Sequence, residues 1–243
     1  MPDKLYHESC EVISQGRAVL EDLQDWGFKT VAPVLEEDLP ICPFPGSMAK
    51  QPAECRVESL EELSSRLQGC KLCGLCEKRQ NIVFGVGNPQ AELVLVGEAP
   101  GREEDEKGFP FVGEAGRLLD RILFAMKLTR QDVYICNVIK CRPPSNRDPQ
   151  PEEIAACEQF LKLQLAAIKP RLIIALGRFA AQALLQTKEP IGRLRGYWRE
   201  YQGIPLMPTY HPAYLLRNPA GKREVWEDMK QVLERLKHPV AGE

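Results

Sequence analysis

The 243-residue sequence contains no apolar run near the roughly 18 residues that a membrane span needs. Its opening, "MPDKLYHESCEV", lacks the basic-then-apolar order of a secretory leader. With both absent, the expectation is a cytoplasmic protein with no membrane partner. No internal repeat is visible, which excludes a solenoid or array. The phosphate-loop pattern G-x-x-x-x-G-K-[ST] is missing, which argues against a nucleotide-phosphate enzyme. A second C-x2-C is missing as well, and a zinc ribbon would want one. Excess charge is also scarce: the net is −2, which on its face argues against nucleic acid.

That balance conceals an asymmetry. Residues 1–65 carry 5 Lys/Arg against 13 Asp/Glu, which leaves 27 against 21, a net of +6, on residues 66–243. Within 193–223 stand Arg193, Arg195, Arg199, Arg217, Lys222 and Arg223 against a single acid, Glu200. Such a stretch suits a phosphate backbone. On charge alone, an ordinary solvated face reads the same way.

The 9 cysteines do not make a disulfide framework in a cytosolic chain. "GCKLCGLC" sets Cys70, Cys73 and Cys76 at C-x2-C-x2-C spacing, and Cys141 and Cys157 follow far downstream. A metal cluster takes two close thiolates and two distant ones. Spacing leaves open which of the first three bind, and buried structural thiols are the competing reading. Cys10, Cys42, Cys55 and Cys136 show no such pattern and read as structural.

Residues 5–26 have the spacing of an amphipathic helix, and residues 30–56 are Pro-rich like a linker. A short helix is expected over 59–67. Beyond it, strands at 92–96, 132–139, 172–176 and 204–207 alternate with helices at 114–127, 151–168, 178–186 and 224–236. Strands separated by helices imply a parallel sheet covered on both faces. Ligands of such sheets sit outside the carboxyl ends of the strands. Three segments leave strands there: 97–101, the stretch from Asn137, and 209–212.

Those segments carry Glu98, Asn137 and His211, a carboxylate, an amide and an imidazole around one crevice. Singly, each reads as an ordinary turn or loop residue. Phe109 and Phe111 add flat apolar surface just before a helix. An amide pairs bidentately with a base edge and a histidine donates to a carbonyl, so a nucleobase is the simplest ligand. In "HPAYLLRNP", Tyr214, Leu215, Leu216 and Arg217 form either a duplex wedge with a phosphate contact or a helix start whose leucines face the core.

Together, "GEAPGREED", "GFPFVGEAGRLLDRIL", "VYICNVIKCRPPSNRDPQPEE" and "TYHPAYLLRNP" resemble the family 4, iron–sulfur uracil-DNA glycosylases over about residues 66–237. In a family 5 sequence, leucine would replace Glu98. The resemblance implies a three-layer α/β/α sandwich around a four-stranded parallel sheet, with residues 66–243 as the glycosylase domain. It implies a [4Fe-4S] cluster on Cys70, Cys73, Cys141 and Cys157, leaving Cys76 spare. It implies release of uracil from DNA by Glu98 and His211, with Gly97, Gly101, Glu104, Phe111 and Asn137 binding the base. Glu104 would crowd the methyl group of thymine, and Tyr214, Leu215, Leu216 and Arg217 would meet DNA. A monomer is expected. Residues 1–65 lie outside the resemblance and are a possible contact for a replication or repair protein. The competing readings are a non-catalytic iron–sulfur module that binds damaged DNA and a covalent uracil trap. The latter would need a histidine in an inserted loop, and "IKCRPPSNRDPQ" has neither.

Overall fold

The computed structural model describes residues 58–237. The expected helix over 5–26, the Pro-rich stretch 30–56, and Cys10, Cys42 and Cys55 lie outside the described residues. Two apolar runs make the centre of the sheet. LVLVG forms β2 (Leu93–Gly97) and LIIAL forms β4 (Leu172–Leu176), and every residue of both is buried. Strands buried on both faces read as continuous apolar runs rather than alternating ones. Two further strands are β3 (Tyr134–Asn137) and β6 (Ile204–Thr209). β3, β2, β4 and β6 lie side by side in that order, and each pair is parallel.

The sheet is larger than the expected four strands. It has six, in the order β1-β3-β2-β4-β6-β5. β1 (Val86–Gly87) and β5 (Arg199–Tyr201) pair antiparallel at the two edges. The sheet is therefore mixed, with the expected parallel set at its centre. The added strands are two and three residues long and partly exposed, too short to show a period.

Alternation along the central strands sends their side chains into two cores. Val94, Val96, Ile173 and Ala175 join one core with Phe160, Leu161 and Leu184. Leu93, Leu95, Ile174 and Met207 join the other with Leu119, Leu123 and Met229. The first is covered by α1 (Leu60–Leu67), α4 (Pro151–Ile168) and α5 (Arg178–Leu185), the second by α3 (Glu114–Ala125) and α8 (Lys222–Lys237). The three-layer α/β/α expectation holds. Three short helices complete the described set: α2 (Arg102–Lys107), α6 (Ile191–Leu194) and α7 (Pro212–Arg217).

Local signals fix the helix ends. Ser59 caps α1 in a capping box with Glu62. Pro151 opens α4, whose capping box joins Gln150 and Glu153. The chain runs from β2 to β3 on one side and later from β4 to β6 on the other. Strand order reverses between β2 and β4, which is where such sheets open a ligand crevice.

A buried ion pair ties β6 to α8. Asp228 is 0% exposed and accepts from Arg195 Nε at 3.1 Å and from Thr209 Oγ1 at 2.6 Å. Arg195 Nη2 also donates to Asp228. Arg195 is thus spent inside the fold rather than free for phosphate, whereas Arg193, Arg199, Arg217, Lys222 and Arg223 are exposed. Asp228→Ala strands a guanidinium and a hydroxyl. It should destabilise the fold by about 3–5 kcal/mol in denaturant unfolding; a loss under about 1 kcal/mol would mean that the pair is not holding β6.

Candidate active site

At the carboxyl ends of β2, β3 and β6 the chain encloses a cavity of about 420 Å³. Its walls include Glu98, Pro100 and Gly101 from the turn after β2, Asn137 from β3, and His211 at the start of α7. Glu104, Phe111, Tyr214 and Arg217 also border it. The three strand ends expected to share a crevice do share one.

Gly97 makes the floor possible. A Cβ there would lie 2.4 Å from Asn137 Oδ1 and 2.7 Å from Phe111 Cζ. Only a bare Cα lets amide and ring approach the same point. Asn137 is 2% exposed, and its Oδ1 has no hydrogen-bond partner. A buried acceptor left open costs free energy unless a ligand fills it. The strand pairing continues past it, from Val138 N to Gly97 O at 2.9 Å and from Ile139 N to Glu98 O at 3.1 Å. The amide is therefore held by backbone on both sides.

Phe111 is buried at the cavity wall with φ at +54°, a left-handed conformation uncommon for a bulky residue. Two groups hold it there. Glu104 Oε1 accepts from Val112 N at 2.9 Å and Gly113 N at 3.0 Å. Arg130 Nη1 donates to Pro110 O at 3.0 Å, and Nη2 donates to Phe111 O. Asp120 holds that guanidinium from its Nε at 2.7 Å. Neither Arg130 nor Asp120 was visible as a site residue, because their reach to the Phe111 segment exists only in the folded chain. Phe109 is 55% exposed and does not line the cavity.

His211 has a fixed tautomer. Its Nδ1 accepts from Ala213 N at 3.1 Å, capping α7. The proton of the neutral ring therefore sits on Nε2. Burial, aided by the nearby Arg217 charge, pushes the imidazole down to about 4. At neutral pH the ring is an uncharged donor. It stacks beside Phe111, with ring centroids 5.5 Å apart. Gly177, at φ +92°, gives the histidine room: a Cβ there would lie 2.8 Å from His211 Cβ. The turn after β4 was thus a fourth strand end that the sequence reading missed.

Glu98 is partly buried. Burial, with the negative Asp148 nearby and Arg178 opposing, pushes its carboxyl up to about 7. Asp148 lines the cavity and pairs with Arg178 at 3.0 Å. Asn146 and Arg147 also border the cavity. This segment was also missed, and its polar "SNRDP" in the loop after β3 was the available signal.

At the rim, Tyr214 and Arg217 are exposed, whereas Leu216 is half-buried and packs against the core. Leu215 is not at the surface. It is 1% exposed and packs in the core with Leu118 and Val225. Its expected DNA contact is withdrawn, and for Leu215 the core-facing alternative is the correct one.

The cysteines form a second centre. Cys70, Cys73, Cys141 and Cys157 line one small cavity with Arg79 and Lys140, whereas Cys76 does not. Arg79 Nη1 donates to Cys141 Sγ at 3.2 Å, and its Nη2 donates to Cys70 O at 2.7 Å. Among the described residues no group of three or more His, Cys, Asp or Glu stands in a metal-holding arrangement. Still, four soft sulfur donors around one cavity are the donor set of an iron–sulfur cluster. Cys136 is fully buried in the core, as a structural thiol would be.

A family model described as the uracil DNA glycosylase superfamily matches residues 84–230. A type-4 uracil-DNA glycosylase of Archaeoglobus fulgidus is 46% identical over 186 residues, covering 73% of this chain and 94% of that protein. One of Thermotoga maritima is 45% identical, covering 75% and 97%. A type-5 enzyme of Pyrobaculum aerophilum is 31% identical, covering 61% and 72%. The chain belongs to the uracil DNA glycosylase superfamily and, within it, to the type-4 family.

The clamp on Phe111 yields a direct test. Arg130→Met removes charged donors from two carbonyls, and each such bond is worth about 1.5–3 kcal/mol. The expected result is faster exchange of the Val112 and Gly113 amides, by tenfold or more, in hydrogen-exchange measurements. Unchanged exchange would mean that Glu104 alone holds the segment.

Proposed function

We propose that this protein hydrolyses the N-glycosidic bond of deoxyuridine in DNA. It releases free uracil and leaves an abasic site for base excision repair. The observation that carries the reading is the open, buried Oδ1 of Asn137 in a cavity that also holds a neutral histidine donor. The type-4 relatives point to the same activity. Nothing supports the non-catalytic alternative.

The geometry supports the following chemistry. Uracil leaves the base stack and enters the cavity against Phe111. Asn137 Oδ1 accepts from N3–H, and its amide nitrogen donates to O4. Cytosine presents the opposite pattern on that edge and leaves groups unpaired, at about 1–3 kcal/mol each. Gly97 and Gly101 let the backbone come close to the nucleotide. The free oxygen of Glu104 borders the C5 position, where thymine carries its methyl group. As the C1′–N1 bond breaks, the electron pair passes to the base and collects on O2. His211 Nε2–H donates there. A neutral donor with a fixed proton suits a developing anion. Glu98 faces the cationic sugar and accepts the proton of the water that attacks C1′. At the rim, Tyr214, Leu216 and Arg217 meet the DNA backbone and the gap left by the flipped base.

Cys70, Cys73, Cys141 and Cys157 hold a [4Fe-4S] cluster in this reading. When bound, the cluster braces the Cys70 and Cys141 segments; hydrolysis moves no electrons. Residues 66–243 form the glycosylase domain. The acidic, Pro-rich residues 1–65 lie outside the family match and are assigned to a contact with a replication or repair protein. The chain is assigned to the cytoplasm as a monomer.

Incubation with oligonucleotides carrying uracil, thymine or cytosine, scored for abasic sites, tests the reading; uracil alone should be released. Absence of uracil release by the iron-loaded protein would refute it. Asn137→Asp should slow uracil release by at least tenfold, and an unchanged rate would mean that another group reads the base edge.

Two pH effects follow from Glu98. Its raised carboxyl must ionise to work, so the rate should fall about tenfold per unit below pH 7, and Glu98→Gln should remove that limb along with most of the activity. A limb centred near 4 would instead report His211. Because the folded carboxyl ionises later than the unfolded one, the ionised form is held at a cost above pH 7. Glu98→Gln should therefore melt at a higher temperature than the parent at pH 8.

A further inference from the structure

Among the described residues, Lys140 is the bulkiest fully buried side chain, at 1% exposure. Buried ammonium groups are rare without a counter-charge. Yet Nζ donates to two neutral oxygens, Asn137 O at 2.6 Å and Gln164 Oε1 at 2.5 Å. Gln164 is itself fixed, since its Nε2 donates to Phe84 O at 2.9 Å and to Tyr134 OH at 3.4 Å. No carboxylate accepts from Lys140 among the described residues.

Lys140 also stands beside the cysteines. It lines the cavity shared by Cys70, Cys73, Cys141 and Cys157, as does Arg79. The backbone N–H of Lys140 donates to Cys157. Arg79 plays the matching part at Cys141 through its 3.2 Å contact. Two basic side chains thus line a cavity with four sulfurs. In sequence, Asn137 and Cys141 bracket this lysine in "NVIKC". The Lys140 side chain folds back along that segment to the Asn137 carbonyl, and its backbone oxygen accepts from Val83 N at 2.8 Å.

We propose that Lys140 is a positioning residue that joins the two centres. Its ammonium supplies counter-charge to the cysteine thiolates and at the same time fixes the Asn137 backbone, and with it the amide that reads the base. The proposal rests on the cluster reading above. It accounts for a buried cation that neither centre, taken alone, requires.

The test uses the full iron-loaded chain with Lys140→Met and Lys140→Gln. Both variants remove the charge, and only glutamine keeps a donor for the Asn137 carbonyl. Three quantities are read: iron and acid-labile sulfide per chain, the midpoint potential of the cluster, and the inhibition constant of free uracil. Both variants should lower the potential and lose iron to a chelator faster than the parent. Lys140→Met should raise the uracil constant about tenfold, the loss expected of one hydrogen bond to a charged group. Lys140→Gln should raise it much less. Parental potential and iron retention in both variants would overturn the counter-charge role. Equal uracil constants in all three proteins, or equal losses in the two variants, would overturn the Asn137 role. If Lys140→Met fails to fold, Lys140→Gln still decides the counter-charge role, and Gln164→Leu, which frees the lysine from its second anchor, decides the other. A parental protein without iron and sulfide would refute the cluster reading itself, and the uracil constants would then judge the Asn137 role alone.

Discussion

The site depends on a side chain that is not there. At Gly97 the sheet ends in a bare Cα, and the Asn137 amide and the Phe111 ring both press against it, closer than any Cβ would allow. The rest of the cavity wall is arranged around this approach. The amide stays open because the strand ladder has consumed its neighbours but not its own oxygen. The ring keeps a left-handed backbone because Glu104 and Arg130 hold the peptide groups around it. Strain of this kind persists only where the surroundings over-determine it.

Around that floor, two titratable groups are pushed in opposite senses. Burial holds His211 uncharged down to about 4 and keeps Glu98 protonated up to about 7. Both shifts have the same origin, a wall that disfavours charge. Environments that separate two groups in this way assign their roles. The histidine can only donate, and the carboxylate, once ionised, can only attract positive charge or accept a proton.

How much could be read from the sequence varied with length scale. β2 and β4 were plain because five consecutive buried residues have no other use in a chain of this class. β1 and β5 were not, since two or three half-exposed residues carry no period. Glu98, Asn137 and His211 were legible because each follows an apolar run at a strand end. Gly177, Arg130 and Asp148 act through a close approach, a reach to two carbonyls, and a neighbouring charge. Those relations exist only once the chain is folded. Leu215 and Leu216 show the limit clearly. Adjacent identical residues were read together, as a wedge or as core, but the helical turn buries Leu215 fully and leaves Leu216 half-buried.

The Nδ1 atom of His211 carries a second obligation, as the cap of α7. That helix presents Tyr214 and Arg217 at the cavity rim. A proton on Nδ1 would therefore uncap the helix and reverse the polarity of the ring in one event. The uncharged state of the ring and the cap of the helix share a single lone pair, so acid strong enough to charge the ring would also loosen the rim. Between about 4 and 7, where Glu98 takes up its proton first, that cap stays intact.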